Sequence, residues 1–293
     1  MAQKVAILGA NGFIGLPVAD AFEANGWEVV YFTRSRTQSH KRQEYFTDLF
    51  DEETLRSALL QSKPNLVIST AWDTEHGKFW TNNSNVDYRD ATLKFAELSF
   101  QSNVETFVGL GTMSEYGKSP GNCCADFSPL IEEDVYSKSK IETGLQLKAV
   151  GERFGCKTNW TRIFQAFGPN EKIERFIPGL IASLRNKEKF SIRTPDYEMD
   201  WIHTADIASA IAFTIEKKLD HFVDIGTGVG TSVKDLSELI CNEFGFDVAL
   251  LDYSEQVEGH QKKAVVDRRT QLLSLGWEPT ESLRNRIRSL RYA

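Results

Sequence analysis

The 293-residue chain holds only four cysteines, five histidines and eight prolines, and each scarcity narrows what the protein can be. Cys123, Cys124, Cys156 and Cys241 form neither a CxxC pair nor a zinc-like spacing, so reduced thiols in a cytoplasmic protein are expected. The histidines are scattered with no HExxH arrangement, so no metal is expected. No apolar run is long enough to cross a membrane. The N-terminal "MAQKVAILGANG" enters an apolar strand almost at once, without the long apolar region and small-residue cleavage site of a signal peptide. Proline, glycine and serine nowhere gather into a linker, and there is no internal repeat. Basic residues do not outnumber acidic ones: 34 against 41, a formal net charge of −7, which argues against nucleic acid or an anionic membrane as partner. Small-molecule chemistry remains.

The composition, 41% hydrophobic and 26% charged, is that of an ordinary globular chain. Short apolar runs, "KVAIL", "EVVYF", "NLVIST", "ETFVGLG" and "CKTNWTRIF", alternate with amphipathic stretches after Gly12, at "EETLRSALLQS", from Val86 to Phe100 and around Tyr136. Strands alternating with helices imply parallel βαβ units and right-handed crossovers, hence an α/β fold with a doubly wound parallel sheet. After Gly168 the pattern loosens: a helix at "RFIPGLIASLRN", a strand at "KFSI", a helix after Thr204, a strand at "HFVDIG". The expected division is a nucleotide-binding domain over residues 1–167, to which 202–227 returns, and a smaller lobe from 168–201 and 228–293.

The stretch "VAILGANGFIG" sets Gly9, Gly12 and Gly15 between a strand and a helix. Glycines there permit a tight turn, close backbone approach to a pyrophosphate and close helix-on-strand packing, while the helix N-terminus favours the anion. The spacing is GxxGxxG, and plain packing is the competing explanation. The second strand ends at "YFTRSR", where an NAD-preferring fold often carries an acid for the ribose 2′-hydroxyl. Thr33, Arg34, Ser35 and Arg36 stand there instead. Guanidinium groups suit a 2′-phosphate, so NADP is the expected cofactor and NAD the alternative, unless both arginines are simply solvated.

In "EEDVYSKSKIE", Tyr136 precedes Lys140 by four residues, so on a helix the two project together while Lys138 points elsewhere. An ordinary surface pair would look the same. Together with "GANGFIG", "TDLFDEETL", "PNLVISTAW", "NSNV", "GLGTMSEYG", "RIFQAFGP", "DWIHTADIASAI", "DIGTGVGTS" and "LGWEPTESL", the chain resembles the extended short-chain dehydrogenase/reductases, in the branch of nucleotide-sugar epimerases, 4,6-dehydratases and 4-ketoreductases. The resemblance covers nearly the whole chain. It implies a Rossmann-type domain with a smaller substrate-binding lobe, and a homodimer formed through the helices at 85–100 and 136–153. It implies a catalytic triad of Thr112, Tyr136 and Lys140, with Lys140 also holding the nicotinamide ribose. It places Asp48 against adenine, extends the cofactor contacts to Asn11, Phe13, Ile14, Leu49, Thr70 and Ala71, and gives Asn85 a supporting role, though an asparagine there is also an ordinary helix cap. Ketone reduction needs a proton for the developing alkoxide; a phenol near pKa 10 delivers it better beside a cation that lowers it. Thr112 would place the substrate oxygen, or merely cap its own backbone.

The departures narrow the reaction. The 4,6-dehydratases that the chain resembles carry an Asp-Glu pair after the catalytic Ser/Thr; here Met113 and Ser114 cannot act as carboxylate acid and base, so dehydration is not expected. Trp72 and Trp80 resemble positions of sugar-nucleotide ketoreductases, or serve the core. Many relatives have Arg where Met199 stands and Asn where Gln165 stands, leaving Arg175 or Arg193 to supply a cation for the substrate diphosphate. The expectation is an NADP-dependent enzyme reducing the 4-keto group of a nucleotide-linked sugar. An NAD-dependent C4 epimerase is the alternative, and a non-catalytic dinucleotide-binding protein a further one.

Overall fold

The computed structural model describes residues 3–35, 42–73, 75, 77–118, 120–253 and 262–290. Seven parallel strands form the main sheet, in spatial order Phe222–Ile225, Lys157–Ile163, Thr106–Thr112, Leu66–Ser69, Lys4–Leu8, Glu28–Thr33 and Gln43–Phe46. Because successive side chains point to opposite faces, each strand feeds two cores. Val5, Ile7, Val29, Tyr31, Leu66 and Ile68 join Val18, Phe22, Ile207 and Ile211 of the helices Gly15–Ala24 and Thr204–Lys217. Ala6, Leu8, Val30, Phe32 and Val67 face Leu55, Phe95 and Leu147 of Glu52–Ser62, Ser84–Gln101 and Val135–Phe154 on the other side. This is the doubly wound α/β architecture expected of the alternating pattern.

The chain runs outward from Lys4–Leu8 to Gln43–Phe46, then crosses back to Leu66–Ser69 on the other flank. The reversal opens a crevice beyond the carboxyl ends of Lys4–Leu8 and Leu66–Ser69, the place where such sheets bind ligands. A second sheet joins Gly230–Ser232, Glu198–His203, Lys263–Val266 and Gly121–Cys123 in that order, with Gln165–Phe167 also paired to Glu198–His203. It belongs with a third core of Phe167, Ile177, Leu180, Trp201, Leu236 and Ile240. Gly121–Cys123 and Gln165–Phe167 thus lie in the smaller sheet although their sequence positions fall before residue 168. They are three-residue strands, too short to carry a readable alternation. Among the described residues, no helix is long and apolar enough to cross a membrane, and no cluster of three His, Cys, Asp or Glu side chains could hold a metal ion.

Candidate active site

A cleft of about 1130 Å³ follows the crevice and is lined at one end by the glycine turn and at the other by Thr112, Tyr136 and Lys140. At the turn, Gly9 takes φ +82°, and a side chain there would bring its Cβ to 2.6 Å from Thr70 Oγ1. A Cβ on Gly15 would sit 2.1 Å from the Gly9 carbonyl oxygen. Gly15 does not line the cleft; its missing side chain lets the helix pack against the turn. That helix is led by Ile14 with no side-chain cap and no acid in its first turn; the Leu16 amide already donates to the Gly12 carbonyl at 3.0 Å and Pro17 has no amide hydrogen, so the amides of the turn between Gly12 and Leu16 are those an anion would meet. Asn11, Gly12, Phe13, Ile14, Thr33, Arg34, Asp48, Leu49, Thr70 and Ala71 all line the same end. Arg34 is exposed at the rim, and Arg36 lies outside the described residues. Asp48 Oδ1 accepts from the Phe50 amide, which shapes the turn carrying Leu49. This cradle of glycines, uncapped amides and one cation fits a dinucleotide.

The other end begins with a cap. Asp134 accepts from the Ser137 amide at 2.7 Å while the Ser137 hydroxyl returns to the Asp134 amide at 3.0 Å, and this reciprocal box starts the helix Val135–Phe154 just ahead of Tyr136. Tyr136 and Lys140 therefore stand one turn apart, facing the end of Thr106–Thr112. Both are buried. The Lys140 ammonium donates to the Leu110 carbonyl at 2.7 Å and lies 3.6 Å over the Trp72 ring, 5.4 Å over Trp160 and 5.8 Å over Tyr136. Burial lowers Lys140 to about 7, opposed by the charge of Glu115. Tyr136 is pushed up to about 12, chiefly by burial, with a hydrogen bond to Thr112 pulling the other way. The expected net lowering of the phenol is therefore corrected: burial outweighs every lowering influence on Tyr136, while Lys140 lies 5.8 Å from the centre of its ring and is held by Leu110 and Trp72.

Of the two roles expected of Thr112, the structure shows the backbone cap. Its hydroxyl faces Tyr136 and favours the phenolate, and it accepts from the Ser114 amide at 3.3 Å as cap of the short helix Met113–Tyr116. Asn85 is no cap. Its Oδ1 accepts from Trp72 Nε1 at 2.8 Å and its Nδ2 donates to the Phe79 and Asn82 carbonyls, so it clamps the loop bearing the aromatic wall. In that wall Phe79 and Trp80 meet the Tyr136 ring edge to face at 4.8 and 5.5 Å. Phe50, Tyr88 and Trp72 extend it toward the nucleotide end. Met113, Ser114, Gln165 and Arg175 line the cleft; Arg175 Nε reaches Glu171 Oε1 at 3.2 Å. Arg193 does not line it; it is exposed beside the buried Ile192. Sequence reasoning also missed Lys118, Lys172 and Lys262, cations that the fold brings to the cleft from three separate segments. Nothing in their local sequence marks them.

Residues 5–226 match the family described as the NAD dependent epimerase/dehydratase family. The chain belongs to that family. As a member it is an enzyme of the extended short-chain dehydrogenase/reductase kind, in the branch of nucleotide-sugar epimerases and dehydratases. Among curated family relatives, it is 25% identical to the low-salt glycan biosynthesis protein Agl12 of Haloferax volcanii, over 64% of this chain and 61% of that protein, so it spans less than two thirds of that relative's length. It is 23% identical to dTDP-6-deoxy-L-talose 4-dehydrogenase (NAD(P)(+)) of Kitasatospora kifunensis, over 98% of this chain and 94% of the other. The fold is shared with UDP-glucose 4-epimerase of Thermotoga maritima, solved with UDP-glucose: TM-score 0.84, 21% identity, 98% of this chain and 96% of that one.

Proposed function

We propose that this family member is an NADP-dependent oxidoreductase that reduces the 4-keto group of a nucleotide-linked sugar, with Tyr136 as proton donor. The observation that carries it is the grouping at the cleft end: the buried Tyr136 stands with Thr112 and Lys140, and positions 113 and 114 hold no carboxylate. A reductase needs a phenol loaded with its proton, whereas dehydration needs an acid and base that these positions lack. A bound nicotinamide would supply the hydride. Tyr136 then passes its phenolic proton to the sugar O4, which the Thr112 hydroxyl holds in place. Lys140, as an ammonium, stabilises the phenolate left behind, and the rings of Trp72, Phe79 and Trp80 keep water from the exchange.

The glycine turn would carry the cofactor pyrophosphate, Asp48 and Leu49 the adenine, and Arg34 a 2′-phosphate. Arg175 would serve the substrate diphosphate from the smaller lobe, whose division from the larger one we place near residue 168. Dimerisation through Ser84–Gln101 and Val135–Phe154, in the cytoplasm, completes the proposal. A second reading, C4 epimerisation with retained NAD, has one specific support: it needs no group beyond the same triad. Titration with NADPH and NADH, followed by energy transfer from the tryptophans, separates the two. NADPH tighter by tenfold, about 1.4 kcal/mol, with free exchange, supports the reductase; NADH preference, or cofactor that co-purifies and will not exchange, moves the epimerase to first place.

A further inference from the structure

Behind Thr112 lies a charged chain that the proposed chemistry does not use. Glu115 is 0% exposed, and its two carboxylate oxygens have three donors: the Thr112 amide at 2.9 Å and Trp160 Nε1 at 3.0 Å on one, Arg162 Nε at 2.7 Å on the other. Arg162 continues to the Tyr116 hydroxyl at 3.1 Å, and that hydroxyl donates to Asp224 Oδ1 at 2.6 Å. The space for this arrangement is built in. A Cβ on Gly111 would lie 2.5 Å from both Glu115 Oε1 and Trp160 Nε1, and one on Gly144 would lie 2.6 Å from Trp160 Cδ1. A buried ion pair is expensive to desolvate, and it is most readily retained where it fixes a conformation.

The two proposed catalytic groups converge on this carboxylate. Its bond to the Thr112 amide ties down the main chain that presents the Thr112 hydroxyl. Its bond to Trp160 holds the ring over which the Lys140 ammonium sits. The Glu115 charge favours the ammonium form of Lys140 against burial, with Arg162 paired to its far oxygen; Tyr136, the other titratable group at the cage, feels Glu115, Arg175 and Asp134.

We propose that Glu115 is a positioning residue of this active site, which fixes Thr112 through its main chain and serves as the counter-charge that keeps Lys140 an ammonium. The proposal rests on the reading of Lys140 as part of the reductive triad, but its test does not need turnover. Glu115→Gln keeps an acceptor for the Thr112 amide and Trp160 and removes the charge. In protein labelled at the lysine 13Cε, with the Lys140 signal assigned from Lys140→Arg, the expected result is a Lys140 ionisation constant raised at least tenfold in E115Q. The alkaline limb of kcat/KM should move to lower pH by the same amount. If E115Q does not fold, E115Q/R162M removes both charges of the pair; Arg162 bonds the carboxylate oxygen on the side away from Trp160, so the shift is expected in the same direction but smaller, and an unmoved Lys140 titration in that variant overturns the proposal as well. An unmoved Lys140 titration in the folded variant overturns the proposal. Failure of the wild-type protein to reduce any 4-keto sugar, with the Lys140 shift intact, would overturn the reductase reading alone.

Discussion

The two ends of the cleft are built from different materials. The proposed nucleotide end is made mainly of main chain: a positive-φ glycine, a helix start with no side-chain cap, and a glycine packed so closely that a methyl group would collide with a carbonyl. The catalytic end is made of side chains: two buried titratable groups, an aromatic wall, and a carboxylate with three donors behind it. The first end would hold a pyrophosphate by main-chain geometry, with Arg34 at its rim as the side chain that would choose between cofactors. The second depends on individual groups whose charge states are set by burial. Binding and chemistry should therefore be separable by substitution.

The sharpest break is Tyr136→Phe. Kinetics should show kcat falling by roughly 10²–10⁴-fold, the usual contribution of a positioned proton donor, while cofactor affinity stays within about twofold. Loss of both would mean that the ends are not independent. Conversely, Gly15→Ala should destabilise the fold by about 1–3 kcal/mol through overpacking, seen as a lower unfolding midpoint, and weaken cofactor binding with Tyr136 intact.

That contrast also explains what could be read from the sequence. The long strands and helices of the main sheet were legible because each repeats its apolar period several times, and the glycine turn because its residues are contiguous. Tyr136 and Lys140 share one helix turn, so their pairing was legible too. The environment of the pair was not: Trp72, the stretch holding Leu110 and Glu115, and Trp160 come from three separate segments, and burial sets the direction of the phenol's shift. The strands Gly121–Cys123, Gly230–Ser232 and Lys263–Val266 escaped because three or four residues carry no period.

Because Lys140 sits near 7, kcat/KM should fall about tenfold per pH unit above that point as the ammonium is lost. For the same group the folded value lies below the ordinary 10.5, so the unfolded chain binds more protons between those limits and this lysine's contribution to stability rises with pH there. Opposite slopes of activity and stability between pH 7 and 10 would mark Lys140 as their common origin; parallel slopes would exclude it. At the nucleotide end, Arg34→Ala should weaken NADPH by about tenfold, 1.4 kcal/mol, and leave NADH unchanged. The smallest effect is expected from Trp72→Phe, which keeps a ring under Lys140: about 0.5–1 kcal/mol of cation–π interaction, read as a shift of Lys140's titration by less than one unit.

The most direct test is the stoichiometry of reduced cofactor consumed when the purified protein meets a nucleotide-linked 4-keto-6-deoxysugar and excess NADPH. One NADPH oxidised per sugar reduced, abolished by Tyr136→Phe, is the expected result. Interconversion of C4 epimers with no net loss of reduced cofactor would contradict it.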